Sequence, residues 1–222
     1  MHPKSQVKLF AGPSLSALSI RLAEENNIEI LSPVKRHDFR NLIEAGLAGT
    51  FIVADGIFHQ VLSVGHAEIR DALQKGIEVF GLCSMGAIRA YEMRNIGMKG
   101  FGEVYESFFH YDDFQDDELC LVHESVAPYR TVSEPLIHFR FCLRHLIEKK
   151  LVTEAHAMVI IDSLKKNWFG DRTMNRFQEV FHCVTGINFQ ELAIDFEPFR
   201  VKKRDLENFL TLRPWDTDHL QS

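Results

Sequence analysis

The sequence predicts an α/β fold, with a mainly parallel sheet and flanking helices, followed by a helical C-terminal region. In the first half of the chain, short apolar runs alternate with helical patterns, which is typical of a parallel sheet covered by helices. From Ser133 onward the patterns are all helical. We therefore expect an α/β core over residues 1–140 and a helical region over residues 141–222.

Four apolar runs in the core predict strands. They are VKLFAG from Val7, IEIL from Ile28, TFIVAD from Thr50 and IEVFGL from Ile77. Helical patterns follow them, and VGHAEIRDALQKG from Val64 is the clearest, because Gly76 stands where a helix favours glycine at its end.

The second half predicts one more strand and four helices. The strand is LCLVHE from Leu119, and the helices are SEPLIHFRFCLRHLIEKK from Ser133 and segments around 155–168, 175–184 and 205–212.

Polar, glycine-marked stretches follow each predicted strand. They are GPS, SPVKRHD, ADGIFHQ and LCSMG. In a parallel sheet, ligands bind at the carboxyl ends of the strands. We therefore expect the functional site at this edge.

Composition narrows the class of protein. Among 222 residues, 31 are acidic and 25 are Lys or Arg, so the net charge of -6 does not favour binding to nucleic acid or to an anionic membrane. The sequence has no apolar run long enough to span a bilayer. It also has no C-x-x-C pair, so the cysteine spacing favours neither a zinc site nor a disulfide framework. We expect a cytoplasmic protein that uses no metal or cofactor and whose partners are small molecules or proteins. The four cysteines are Cys83, Cys120, Cys142 and Cys183.

The stretch FGLCSMGAIRAYEM, from Phe80, places Ser84 between a predicted strand and a predicted helix. This is the context of a nucleophile elbow, although Leu82 stands at the first glycine of G-x-S-x-G. The alternative is a helix cap whose hydroxyl accepts a backbone N–H, with Gly86 allowing close packing. Cys83 is a competing nucleophile, but a small buried side chain is the stronger interpretation.

Other residues at this edge have functional and structural interpretations. His66 would serve as a general base, because its pKa is ordinarily near neutrality. Asp55 precedes a glycine and is a turn former in the simplest interpretation. Arg89 would hold an anion or pair with Glu92 on the surface. A metal site at His59 and His66 is a minority interpretation, because their spacing of seven fits no helical ligand pair.

Two further stretches have weaker interpretations. The acidic stretch YDDFQDDE from Tyr111 would bind a cation or a basic partner, or simply be solvated. GPSL at a helix start would bind a phosphate, but no G-x-G-x-x-G or P-loop pattern accompanies it.

Seven stretches together resemble the TfuA family, whose members accompany YcaO enzymes in peptide-backbone thioamidation, a step of RiPP biosynthesis. They occur in the family's order between Phe10 and Arg140. The stretches are FAGPSL, SPVKRHDF, ADGIFHQVLSVGHAEI, FGLCSMGAIRAYEM, GMKGFGEVYESF, DDELCLVHE and YRTVSEPLIHFR.

The resemblance implies a hydrolase that acts on the thiocarboxylated C terminus of a ThiS-like sulfur carrier and releases sulfide for a YcaO-type enzyme. It places the nucleophile at Ser84, and we assign His66 as the base. We expect Met85 and Gly86 to receive the oxyanion. The substrate would contact Arg89, Asp55, Lys35 and Arg36, and the partner enzyme would contact Asp116, Asp117 and Glu118.

The chain departs from the family pattern where a lysine commonly follows the histidine of V-x-H-K-E-I. Here Ala67 takes that place, and the family's R-G-D element reads Arg36-His37-Asp38. Because alanine moves no proton, the base is His66, Lys35 or absent. The alternative function is a non-catalytic adaptor that docks the YcaO enzyme and its substrate.

Overall fold

The computed structural model describes residues 6–57 and 61–216, and within them five strands form one parallel sheet in the order β2-β1-β3-β4-β5. The strands are β1 (Gln6–Phe10), β2 (Glu29–Leu31), β3 (Gly49–Val53), β4 (Glu78–Gly81) and β5 (Lys99–Gly100). The helices are α1 (Ala17–Glu25), α2 (Asp38–Glu44), α3 (His66–Gln74), α4 (Met85–Met93), α5 (Glu103–His110), α6 (Leu136–Glu148), α7 (Glu154–Lys165), α8 (Met174–Thr185) and α9 (Val201–Leu212). The predicted α/β fold is confirmed.

The chain divides into two compact units by its contacts. The first holds residues up to Asp112 and those from Lys202 onward, and so contains the sheet, α1 to α5 and most of α9. The second, Asp113–Val201, contains α6 to α8. Residues of α9 from Lys202 onward thus belong to the unit that contains the sheet. The division into domains 1–140 and 141–222 stays a prediction.

Both faces of the sheet are covered by helices. Successive side chains of a strand point to opposite faces, so each strand contributes apolar residues to both. On one face, Phe51 packs in a buried cluster with residues of α2, α3 and α4. On the other face, Ile52 packs with residues of α1 and with Leu206 and Phe209 of α9. Helix α9 is therefore part of the core of the first unit.

Asp205 of α9 caps the start of α5. Its carboxylate accepts the backbone N–H groups of Glu103 (3.0 Å) and Val104 (2.9 Å), which have no partner within the helix. Gly102 allows this approach, because a Cβ at that position would lie 2.4 Å from Asp205 Cγ. Burial raises the pKa of Asp205 to about 7, although the N–H of Val104 and the charge of Arg204 oppose the rise.

The second unit is helical, with Phe139 of α6 stacked on Phe177 of α8 at 4.5 Å between ring centroids. The predicted strand from Leu119 is wrong. Asp116–Leu119 form a 3-10 turn, and beyond it the chain makes a single antiparallel bridge between His123 and Thr131. The apolar residues that suggested a strand, Leu119 and Cys120, are buried at the end of that turn instead.

Two elements of the first unit were not assigned from the sequence. Strand β5 has only two residues, which is too short for a periodic pattern, and α5 follows it after a glycine at φ 93°. Within residues 6–57 and 61–216, none of the helices combines the length and the apolar character that crossing a bilayer requires.

Asp205 predicts how stability depends on pH. An acid whose pKa is higher in the folded state binds its proton more tightly there, so the folded state loses stability as pH rises from the unfolded value of 3.8 to about 7. Relative to Asp205→Asn, wild type is expected to lose on the order of 4 kcal/mol of unfolding free energy across this interval.

Urea unfolding of both proteins at a series of pH values between about 4 and 8 measures this difference. The substitution also disturbs the α5 cap, which lowers stability by a constant amount. The change of the difference with pH is therefore the quantity to read. Parallel curves for the two proteins would contradict the prediction.

Candidate active site

The candidate site lies at the carboxyl edge of the sheet, where the turns after β1, β3 and β4 meet. The order β2-β1-β3-β4-β5 reverses direction between β1 and β3, and open α/β sheets bind ligands at such a switch point. The loop after β2 joins them, because Val34 N donates to Asp55 O at 2.9 Å. The described parts of the four polar stretches that the sequence placed at this edge, which exclude residues 58–60, therefore do meet there.

The carboxylate of Asp55 is the centre of the site and is 2% exposed. Its Oδ2 accepts the backbone N–H groups of Gly12 (2.9 Å) and Ser14 (2.8 Å). Its Oδ1 accepts the hydroxyls of Ser14 (2.7 Å) and Ser84 (2.8 Å). Four donors offset the cost of burying the charge. Asp55 is thus more than a turn former.

Ser84 holds the N-cap position of α4, but its side chain makes no capping hydrogen bond. The hydroxyl faces Asp55 Oδ1 and also lies 3.2 Å from Ala54 O. The cap interpretation of this hydroxyl is therefore wrong. A hydroxyl that donates to a carboxylate keeps its lone pairs free for attack, which is the arrangement that nucleophilic catalysis needs.

The turn before Ser84 is strained at Cys83, which has φ 64° although it carries a Cβ. Such a conformation is uncommon outside glycine and clusters at functional sites. The Cys83 thiol is buried and donates to Lys202 O at 3.1 Å. Burial, followed by the negative charges of Asp55 and Asp205, raises the pKa of Cys83 well above its ordinary value. The thiol stays protonated, so Cys83 is a poor nucleophile.

Met85 and Gly86, the predicted oxyanion donors, begin α4 beside Ser84. The N–H of Gly86 lies 3.4 Å from Ala54 O, a long and weak hydrogen bond. A Cβ on Gly86 would lie 1.7 Å from Val53 O, so the absence of a side chain lets the helix touch β3. Gly56 similarly leaves room for the Met85 side chain, whose Cβ and Cγ would lie 2.7 Å from a Cβ there.

His66 makes no hydrogen bond to Ser84. Its Nε2 lies 2.8 Å from Glu92 Oε2, and its side chain is 56% exposed. Arg89 donates to the same Glu92 oxygen at 2.6 Å and to Val64 O at 3.1 Å. These three residues form a surface cluster between α3 and α4, which satisfies the structural interpretation of Arg89.

Lys35 and Arg36 are exposed on the loop that reaches Asp55 through Val34. Arg36 Nε donates to Ser63 O at 3.1 Å and lies 3.6 Å from Glu68 Oε1, so part of its charge is paired. The loop after β2 therefore carries two exposed cationic side chains.

The acidic stretch belongs to the second unit from Asp113 onward, and its residues differ in accessibility. Glu118 is fully buried and paired with Arg140 (2.6 Å) and Lys165 (3.2 Å), whereas Asp117 binds Arg172 at 2.6 Å. Asp116 is exposed. Of the three residues predicted to contact the partner enzyme, Glu118 is thus enclosed by its ion pairs.

Within residues 6–57 and 61–216, no group of three or more His, Cys, Asp or Glu side chains is arranged to hold a metal ion. His59, one of the two histidines considered for a metal, lies outside the described residues. Ser14 and Gly12 were not predicted as partners of Asp55. Their signal was present in the stretch GPS, which follows β1 at the same edge as Asp55.

A family model described as TfuA-like protein matches residues 55–173, more than half of the chain. The match contains Asp55, His66 and Ser84 and extends past Arg140, whereas the stretches FAGPSL and SPVKRHDF precede it. A comparison with curated proteins gives no match.

The contact between α4 and β3 predicts the effect of a single methyl group. Gly86→Ala would place a Cβ against Val53 O and must move the helix that carries Ser84, so we expect a loss of at least about 2 kcal/mol in unfolding free energy. Gly65→Ala is the matched control, because φ there is -86° and the nearest atoms lie at 3.6 Å. It should stay within about 1 kcal/mol of wild type in denaturant titrations. Equal losses in the two variants would be inconsistent with this packing.

Proposed function

This chain belongs to the TfuA-like family, which is linked to YcaO-associated processes, and we propose that it is a hydrolase serving a YcaO-type enzyme in peptide thioamidation. Its substrate is the thiocarboxylated C terminus of a ThiS-like sulfur carrier, from which it releases sulfide. The observation that carries the proposal is the 2.8 Å hydrogen bond from Ser84 to Asp55 at the switch point of the sheet.

Ser84 Oγ attacks the thiocarboxylate carbon. The O–C bond forms, the C–S bond breaks, and the hydroxyl proton passes through Asp55 to the departing sulfur, which leaves as hydrosulfide. Water then hydrolyses the acyl-serine ester: one of its protons restores the Ser84 hydroxyl, the carrier leaves as a carboxylate, and the second proton passes to solvent. Neither step needs an oxidant or a reductant.

Asp55 is the acceptor that geometry favours. It lies in hydrogen-bond contact with the reacting hydroxyl, whereas His66 is bonded to Glu92. Geometry precedes pKa in choosing a base, because a proton moves only across a formed hydrogen bond. We therefore propose Asp55, rather than His66 or Lys35, as the group that takes the proton from Ser84.

The substrate is an anion that must approach a buried carboxylate, so positive potential is needed. The N terminus of α4 carries a partial positive charge beside Ser84. Lys35 and Arg36 add exposed positive charges on the loop whose Val34 is bonded to Asp55 O. Arg89 contributes less, since Glu92 neutralises it.

A second candidate function is that of an adaptor which docks the YcaO enzyme and its substrate without hydrolysis. The observation that favours it is the burial of Ser84, which is 2% exposed. Ala67 adds to this, because it is exposed at the start of α3 and supplies no base where the family commonly has lysine.

Ser84→Ala separates the two functions. We expect sulfide release from a thiocarboxylated carrier to fall at least about 10³-fold, because the attacking oxygen is removed. Ser107→Ala is the control: Ser107 is also buried, but its hydroxyl donates within α5 to Glu103 O at 2.7 Å. Thermal unfolding should show that both variants remain folded.

In a reaction that contains the YcaO enzyme and Ser84→Ala, added free sulfide should restore thioamide formation. Sulfide release that survives the substitution would reject the hydrolase. If the YcaO enzyme with free sulfide but without this protein forms no thioamide, and Ser84→Ala supports thioamidation fully, the adaptor function is established.

Asp55→Asn and His66→Gln identify the proton acceptor. Asparagine cannot take the Ser84 proton, so kcat should fall at least about tenfold further in Asp55→Asn than in His66→Gln. Steady-state sulfide release by the two folded variants gives this ratio. A larger loss in His66→Gln would return the base to His66.

A further inference from the structure

We propose that Ser14 is a positioning residue for the nucleophile, holding the Asp55 carboxylate so that Oδ1 faces the Ser84 hydroxyl. This inference rests on the proposed nucleophilic role of Ser84. It assigns a catalytic purpose to the turn after β1, which lies outside residues 55–173.

Ser14 contacts both oxygens of the carboxylate. Its N–H donates to Oδ2 at 2.8 Å and its hydroxyl to Oδ1 at 2.7 Å, so the plane of the carboxylate is fixed from one residue. Gly12 N–H supports Oδ2 at 2.9 Å. The two backbone donors hold one oxygen, and the Ser14 hydroxyl is the second donor on the oxygen that faces Ser84.

The Ser84 hydroxyl has two acceptors, and only one of them can take its proton away. Ala54 O lies 3.2 Å from Ser84 Oγ, whereas Asp55 Oδ1 lies at 2.8 Å. A carboxylate free to rotate would leave the hydroxyl to the carbonyl for part of the time. Fixing a catalytic group in its reactive orientation accounts for large parts of enzymatic rates.

The role is separable from folding. Ser14 is 1% exposed, yet Ser14→Ala keeps the backbone N–H and removes only the hydroxyl. Ser16→Ala is the matched control: the Ser16 hydroxyl caps α1 by accepting from Ser19 N at 3.0 Å and donates to Glu207, and it makes no hydrogen bond to Asp55. Both variants lose a serine hydroxyl from the same turn.

Two readouts on the full-length protein test the inference. The first is the rate at which a small fluorophosphonate labels Ser84, followed by mass spectrometry. In that reaction the Ser84 O–P bond forms, the P–F bond breaks, and the serine proton leaves through Asp55 as fluoride departs. The second is sulfide release from a thiocarboxylated carrier, with kcat and KM determined separately.

Ser14→Ala is expected to slow labelling and to lower kcat by about tenfold, with KM unchanged within about twofold. Ser14→Thr, which keeps the hydroxyl, should recover most of the rate. Ser14→Cys, whose thiol is a weaker donor of similar size, should fall between alanine and serine. Ser16→Ala should stay within about twofold of wild type in both readouts.

The inference is overturned if Ser14→Ala labels as fast as wild type, if its loss appears in KM, or if Ser16→Ala is slowed equally. It is also overturned if wild-type Ser84 is not labelled. Labelling that depends on Ser14 in a protein that releases no sulfide would uphold the inference and reject the proposed hydrolase, so the two failures are distinct.

Discussion

The buried carboxylate of Asp55 is the interaction on which the candidate site depends. It accepts hydrogen bonds from the turn after β1 and from the turn after β4, while itself following β3. A buried charge without these donors would be strongly destabilising, so the turns must close around it. The hydrogen bonds that stabilise buried Asp55 also orient the Ser84 hydroxyl. The stability of the sheet edge and the geometry of the candidate site therefore depend on the same contacts.

Close approach of backbone to backbone fixes the other side of the site. Gly86 lies against Val53 O, and Gly81 lies against Gly86 O, where an added Cβ would come within 2.1 Å. Helix α4 therefore sits at van der Waals contact with the sheet, and its first residue has little freedom. The strained backbone of Cys83 completes this turn. The position of Ser84 therefore depends on the close approach that Gly81 and Gly86 allow, as well as on its hydrogen bonds.

Local patterns were enough to predict most of the fold and the position of Ser84. Apolar runs and a strand-turn-helix context are encoded within about ten residues, and they gave β1 to β4 with their helices. The partner of Ser84 was not accessible in this way, because Asp55 is 29 residues away and Ser14 is 41 residues from Asp55. His66 was chosen for its ordinary pKa, but the start of α3 directs it to Glu92. Strand β5 was missed because two residues carry no periodicity.

Helix α9 lies outside the segment that the family model matches, yet most of it belongs to the first unit. The family-matched segment, residues 55–173, carries Asp55 and Ser84 but omits β1, β2 and α9. Without β1 the sheet loses the neighbour of β3, and without α9 one of its faces loses Phe209 and Leu210. The stretch by which the family is recognised is thus not a module that can be transplanted. Within the first unit, Asp55 and Ser84 are positioned by strands and helices that lie on both sides of this segment in the sequence.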